Sequence, residues 1–147
     1  MGTQENKASA SRFLEEVINK GNFAFIDELS GPNFVDHSAP PGAPPTPEGL
    51  KGFMAMFRAA FPDLHYTLED SIAEGDKVVQ RTTARGTMKG DFMGMPASGK
   101  TATWSEIHIT RFENGKAIEH WAVVDQLGML AQLGFAQAPG QPAGVAG

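Results

Sequence analysis

A carboxylate and an imidazole two residues apart on one β-strand can pass a proton between them, and the run Trp104-Ser-Glu106-Ile-His108 supplies that pair. Side chains alternate along a strand, so Trp104, Glu106, His108 and Thr110 share one face. Glu106 and His108 then lie about 7 Å apart at Cα. Imidazole changes charge near neutral pH, which suits acid–base work. The turn Asn114–Gly115 returns the chain as a hairpin, with Ile118, His120 and Ala122 on the matching face. Plainer readings exist for each group. Glu106 can be a structural carboxylate held by Arg81, Arg85 or a histidine, because an unpaired buried charge is costly. His108 can be a hydrogen-bonded core histidine. Asp36 can cap a turn, and His37 can anchor the Pro-rich loop that follows it. Trp104 and Trp121 suit a wall or a core. Asp125 reads as the N-cap of a final helix.

Other chemistries lack their residues. The chain has 4 histidines and no cysteine, and no His-x-x-x-His or two-histidine, one-carboxylate spacing, so no metal centre is expected. The Gly-rich stretch 89–100 lacks a Gly-x-Gly-x-x-Gly fingerprint and does not lead from strand to helix. No Gly-x-Ser-x-Gly elbow is present. A net charge of −5 without a basic stripe argues against a nucleic-acid partner. No apolar run approaches the roughly 20 residues of a membrane helix, and the polar start, Met1 to Ser11, is unlike a signal peptide. A cytoplasmic location is the expectation.

The elements that must position these groups follow from periodicity. A length of 147 residues suits one domain. Ser9–Lys20 carries Phe13, Leu14, Val17 and Ile18 on one stripe, with Gly21 as the stop. A short helix, Phe23–Leu29, precedes an extended segment, Phe34–His37. Residues Ala39–Pro45 form a stiff loop. Thr46 caps a third helix with Pro47 at its first position, and Pro62 ends it. The period then changes to 2 for strands Leu64–Ile72, Lys77–Thr87, Thr101–Phe112 and Ala117–Asp125. A last helix spans Gln126–Leu133. Helices first and an antiparallel meander afterwards make an α+β fold, a curled antiparallel or mixed sheet forming a cone closed by N-terminal helices. Residues 1–134 form the domain, and the Ala/Gly/Pro-rich stretch 135–147 reads as a flexible tail. The cone encloses a pocket for a small apolar ligand, and Met54, Met56, Met88, Met93, Met95 and Met129 suit an adaptable lining.

The segments Phe34-Val-Asp-His37, Phe61-Pro-Asp-Leu64, Glu74-Gly-Asp-Lys-Val-Val79, Gly94-Met-Pro-Ala-Ser-Gly-Lys100 and Gly115-Lys-Ala-Ile-Glu-His-Trp121, in that order and spacing, resemble a SnoaL-like polyketide cyclase (ester cyclase) of the nuclear transport factor 2-like superfamily. The resemblance runs from about Phe13 to Gly134. It implies a six-stranded curled sheet, a homodimer or homotetramer packed through the outer sheet face, and cofactor-free, metal-free acid–base chemistry.

Type members close a ring by intramolecular aldol condensation, which needs a base and a stabiliser of the enolate oxygen. The resemblance matches His108 to a site histidine, sets Glu106 where the cyclases carry an amide, and places Asp36 and His37 in a segment that reaches the substrate. Their proton-carrying aspartate falls at Ala122, and alanine transfers no proton. The catalytic candidates are therefore Glu106 as base, with His108 and His37. Asp36, Trp104, His120, Trp121 and Ala122 are candidates for substrate contact. Two further readings stand beside this one: a non-catalytic ligand-binding or oligomerisation domain, and epoxide opening through an Asp–Arg–Asp relay as in limonene epoxide hydrolases.

Overall fold

The structure, a computed structural model, describes residues 2–137. Its α+β architecture places four α-helices and a π-helical stretch against one mixed sheet. Helix α1 (Thr3–Arg12) continues without a break into the π-helical stretch Phe13–Asn19. The helix begins well before the expected Ser9, because Gln4, Glu5, Lys7, Ala8 and Ala10 are good helix formers, and Asn6 and Ala10 are buried. Leu14, Val17 and Ile18 of the expected stripe are buried in the main core. Helix α2 (Phe25–Leu29) leads into strand β1 (Ser30–Asp36), longer than the brief extended segment read from sequence.

Helix α3 (Pro47–Ala60) starts as its sequence dictates, with Pro47 in the first turn and the Thr46 hydroxyl accepting from the Gly49 amide. Strands β2 (His65–Glu74), β3 (Lys77–Thr87), β4 (Thr101–Glu113) and β5 (Lys116–Val124) follow. Helix α4 (Gln126–Leu133) is capped by Asp125, whose carboxylate accepts from the Gly128 amide, and ends at Gly134 in the left-handed region.

The sheet order is β1-β5-β4-β3-β2, and the sheet does not close: β1 and β2 are its edges. Strands β2 to β5 pair antiparallel, as the meander predicts, whereas β1 lies parallel to β5. The described residues form five strands rather than the six that the resemblance implied. In the Gly-rich connection only Phe92 and Met95 bridge, around a tight turn in which Met93 and Gly94 both have positive φ.

The helices cover the inner face, where Phe57, Phe61, Phe92 and Trp104 form the aromatic centre of the core. A bulge between Arg111 and Phe112 opposes Phe112 to Ala117. That extra residue moves Ile118 off the inner face expected for it and into a cleft on the other side, beside Glu119 and Arg111. No helix among the described residues is long and apolar enough to cross a membrane. The expected tail lies outside the described residues from position 138 onward.

Two glycines of α3 make a direct test of this packing. A Cβ on Gly49 would sit 1.9 Å from the Pro44 carbonyl oxygen, while one on Gly52 would meet nothing within 4 Å. Gly49→Ala should therefore destabilise by about 1–3 kcal/mol, the usual scale of overpacking. Gly52→Ala should stabilise by about 0.5–1 kcal/mol, because alanine loses less freedom in a helix. Urea unfolding of both variants measures the difference, and equal effects would show that the Pro-rich loop does not pack as described.

Candidate acid–base site

The inner face of the sheet and the helices enclose a cavity of about 390 Å³, within the size range of small-molecule sites. Its walls are largely apolar, with Phe13, Leu14, Phe53, Phe57 and Met129 on the helical side. Ser38, Ala39, Pro40 and Pro41 of the loop after β1 also line it. Ionisable groups gather on the opposite wall.

Glu106 is the buried end of that group, only 4% exposed. Its Oε2 accepts from the Tyr66 hydroxyl at 2.7 Å and from Trp104 Nε1 at 2.6 Å. Its Oε1 lies 2.7 Å from His108 Nε2. Neither Arg81 nor Arg85 is a partner; Arg81 pairs with Asp70 on the exposed face instead. The other nitrogen of His108, Nδ1, lies 2.9 Å from His120 Nε2, and the two rings stack with centroids 5.1 Å apart. His120 Nδ1 in turn lies 2.9 Å from Asp36 Oδ1, which also accepts the Ser38 amide at 3.0 Å. The result is one chain, carboxylate–imidazole–imidazole–carboxylate.

Register explains why the chain forms. Ala122 sits directly opposite His108, and Thr110 opposite His120. The methyl group of Ala122 leaves room for the His108 ring to lean diagonally toward His120. Asp36 reaches His120 because these residues are partners in the parallel β1–β5 pairing. The Ser38 hydroxyl extends that pairing: it accepts from the Ala122 amide at 2.7 Å and lies 3.2 Å from the Ala122 carbonyl.

Three hydrogen bonds link the four groups, and each needs one proton. Two ionised carboxylates and two neutral rings supply only two ring protons between them. One contact would then set lone pair against lone pair. The chain is fully bonded only when it holds one more proton, which can reside at several points along it. The two carboxylates behave accordingly. Burial works against ionisation of Glu106, but the His108 bond and charge, with Tyr66 and Trp104, hold its pKa below the ordinary 4.5. Burial likewise opposes ionisation of Asp36, yet the His120 bond and charge and the Ser38 amide keep its pKa below 3.8. Burial, then the Glu106 charge, push the Tyr66 phenol well above its usual value, so it remains a donor.

Of the residues singled out from sequence, Asp36, Trp104, Glu106, His108, His120 and Ala122 all line the cavity. His37 and Trp121 are corrections: both face away from it. Each follows or precedes an inward residue on a strand, and the period of two sends it outward. There His37 stacks on Trp121, centroids 5.0 Å apart, and its Nε2 lies 2.8 Å from Glu119. Since Asp36 and His37 cannot share a strand face, alternation alone could have separated them. Tyr66 escaped the sequence reading as a site residue, although alternation set it inside and a buried phenol needs a partner. Asn19, at the end of the π-helical stretch, fixes Tyr66 by binding both its backbone amide and its carbonyl. Ser38 had no sequence signal. Among the described residues no group of three or more His, Cys, Asp or Glu side chains is arranged to hold a metal ion.

Because Glu106 and Asp36 ionise more readily when folded, they stabilise the fold above pH 4.5 and 3.8, their ordinary values, and that stabilisation is lost as pH falls through the lower folded values. The urea midpoint of the wild type should fall as pH drops below about 4.5. Glu106→Gln keeps the shape and removes one titrating group, so its midpoint should fall less steeply. Parallel pH curves would mean that the carboxylate is not paired as described.

The sequence profile of the SnoaL-like polyketide cyclases matches residues 8–133. The chain is 28% identical over 126 residues to the aklanonic acid methyl ester cyclase DauD of Streptomyces sp. (strain C5), covering 85% of this chain and 69% of that protein. It is 30% identical over 120 residues to the aklanonic acid methyl ester cyclase DnrD of Streptomyces peucetius, covering 81% of this chain and 72% of that one. The solved structure of TsrD from Streptomyces laurentii superposes with a TM-score of 0.84 at 30% identity, over 92% of this chain and 98% of TsrD. The profile match runs from the second half of α1 through all five strands to the end of α4 and includes every group of the hydrogen-bonded chain in the cavity wall, and the protein belongs to the SnoaL-like polyketide cyclase family.

Proposed function

We propose that this protein binds a small, largely apolar carbonyl compound of polyketide type and converts it by cofactor-free proton transfer, in an aldol cyclisation or an isomerisation. The observation that carries this reading is the hydrogen-bonded chain Glu106–His108–His120–Asp36 in the wall of an otherwise apolar cavity. Family membership and the two similar ester cyclases support cyclase-type chemistry. In this reading Glu106 does not act as the free base expected from sequence, since three donors already occupy its two oxygens. It holds His108 in place. His108 and His120 carry the mobile proton. Trp104 orients Glu106 and walls the pocket.

Ala122, where the resemblance sets the cyclases' aspartate, favours a second reading in which the cavity only binds its ligand. Epoxide opening through Asp–Arg–Asp finds no support in the cavity, whose lining among the described residues contains no arginine.

We further propose that two copies associate through the outer sheet face. Ile72, Val79, Ile109 and Trp121 are consecutive register partners across four strands and form one apolar row there. Ile107 and Val123, paired beside that row, are 46% and 77% exposed. A twofold contact would cover the patch with itself.

Two measurements test these readings. Deuterium uptake from heavy water at the acidic carbon of a bulky β-ketoester, followed by NMR, should run faster with protein than with buffer. His108→Ala should slow it by about 10²-fold, the usual scale of general acid–base catalysis. A wild-type rate equal to buffer would overturn catalysis and leave the binding reading. Light scattering should give a dimer or larger assembly at tens of micromolar, and Val123→Glu should shift it toward monomer. A monomeric wild type would overturn the interface.

A further inference from the structure

We propose that Asp36, through Oδ2, is the group that takes the proton from the substrate. The assignment rests on the acid–base reading above and names the atom that performs it. Every other candidate atom in the chain is already engaged. Glu106 has Oε2 between Tyr66 and Trp104 and Oε1 on His108. His108 uses Nε2 toward Glu106 and Nδ1 toward His120, and His120 uses Nε2 toward His108 and Nδ1 toward Asp36. No ring nitrogen is left to face a ligand. Asp36 differs: Oδ1 accepts both His120 and the Ser38 amide, and Oδ2 has no hydrogen-bond partner among the described residues. The residue lines the cavity beside Ser38 and Ala39 and is 7% exposed.

The surroundings suit the role. The carboxylate is ionised at neutral pH: burial opposes this most, but the His120 bond and charge, the Ser38 amide and the His108 charge together outweigh it. Position is fixed by the β1–β5 register with His120, by the Asp36 amide bonded to the Pro45 carbonyl, and by the Ser38 clasp on Ala122. A base so held loses little freedom when a ligand arrives.

The step balances without any further reagent. Oδ2 takes the proton, the carbon–hydrogen bond breaks, and its electron pair becomes an enolate with the charge on the carbonyl oxygen. In a cyclisation the enolate carbon bonds to a second carbonyl carbon, whose π pair moves to oxygen, and the proton on Oδ2 passes to that oxygen. Asp36 is then an ionised carboxylate again. Behind it, the extra proton of the histidine pair can shift along the chain as the charge on Asp36 changes, so the wall offsets charge on both legs of the cycle.

A chemical label and the exchange assay test the assignment together. 2-Bromoacetophenone is small, apolar and ketonic, and the chain has no cysteine to compete for it. Oδ2 should displace bromide, forming a carbon–oxygen bond as the carbon–bromine pair leaves. Peptide mapping by mass spectrometry should find an ester on Asp36, absent in Asp36→Asn. An adduct on Glu106, His108 or His120 instead, or no adduct in the cavity, would overturn the proposal. In the exchange assay Asp36→Asn retains an acceptor for His120 and Ser38. The variant should stay folded, with a melting temperature lowered only by the lost charge on the His120 bond, while exchange falls by about 10²-fold or more. Exchange by Asp36→Asn near the wild-type rate would reduce Asp36 to a partner of His120. If the wild type shows no exchange at all, the acid–base reading fails. The label alone then decides whether Asp36 presents a free oxygen to the cavity.

Discussion

Burying a carboxylate is the constraint around which this molecule is arranged. Glu106 is removed from water, and an isolated charge there would be too costly to keep. The cost is offset by three donors drawn from two strands, Tyr66 on β2 and Trp104 and His108 on β4. Hydrogen bonds to a charged group contribute about 1.5–3 kcal/mol each, so the three together weigh heavily in a fold of this size. Each donor then needs its own support. Tyr66 is held by the Asn19 amide at the end of the π-helical stretch, where wider turns are a frequent mark of functional sites. His108 is held by His120, and His120 by Asp36. A demand made at one buried carboxylate thus organises the wall from the π-helical stretch to the edge strand.

The chain also ties the Pro-rich loop to the buried carboxylate. Asp36 closes the last hydrogen bond of the chain and opens the Pro-rich loop, accepting the Ser38 amide with the same oxygen that faces His120. The Ser38 hydroxyl grips Ala122, and Gly49 lets the loop return close over the start of α3. Proline restricts the backbone of this segment even before folding. The loop is therefore set by the same residues that end the hydrogen-bonded chain, and a change at Asp36 or Ser38 reaches both.

One alternation gives the two faces of the sheet different residues. Inward residues of β4 and β5 carry the polar chain and the cavity wall. Outward residues carry Ile107, Ile109, Trp121 and Val123, with His37 stacked on Trp121 and bonded to Glu119. The hydrogen-bonded chain and the apolar outer row are separated by a single residue step along each strand, so neighbours such as His120 and Trp121 face opposite sides. Within the SnoaL-like family this chain has alanine at 122. The room left by that methyl group is what allows the two histidines to meet.

The sequence alone determined the order of helices and strands, the helix caps at Thr46 and Asp125, the hairpin at Asn114–Gly115, and the shared face of Trp104, Glu106 and His108. Each is a local matter of periodicity or capping, decided within a few residues. It also determined the family, through segments spread over the whole domain. The parallel pairing of β1 with β5 was decided elsewhere, because strands some 80 residues apart leave no mark of their register in either one. That register joins Asp36 to His120 and sets His37 outside. The bulge at Arg111–Phe112 turned Ile118 outward, and burial of Asn6 and Ala10 added to the local helix formers in starting α1 early. Glu106 shows the division most plainly. Alternation along β4 could send it inward, but only tertiary packing could supply Tyr66 and complete the set of donors around it, since partners across a core are chosen by geometry that no single strand encodes.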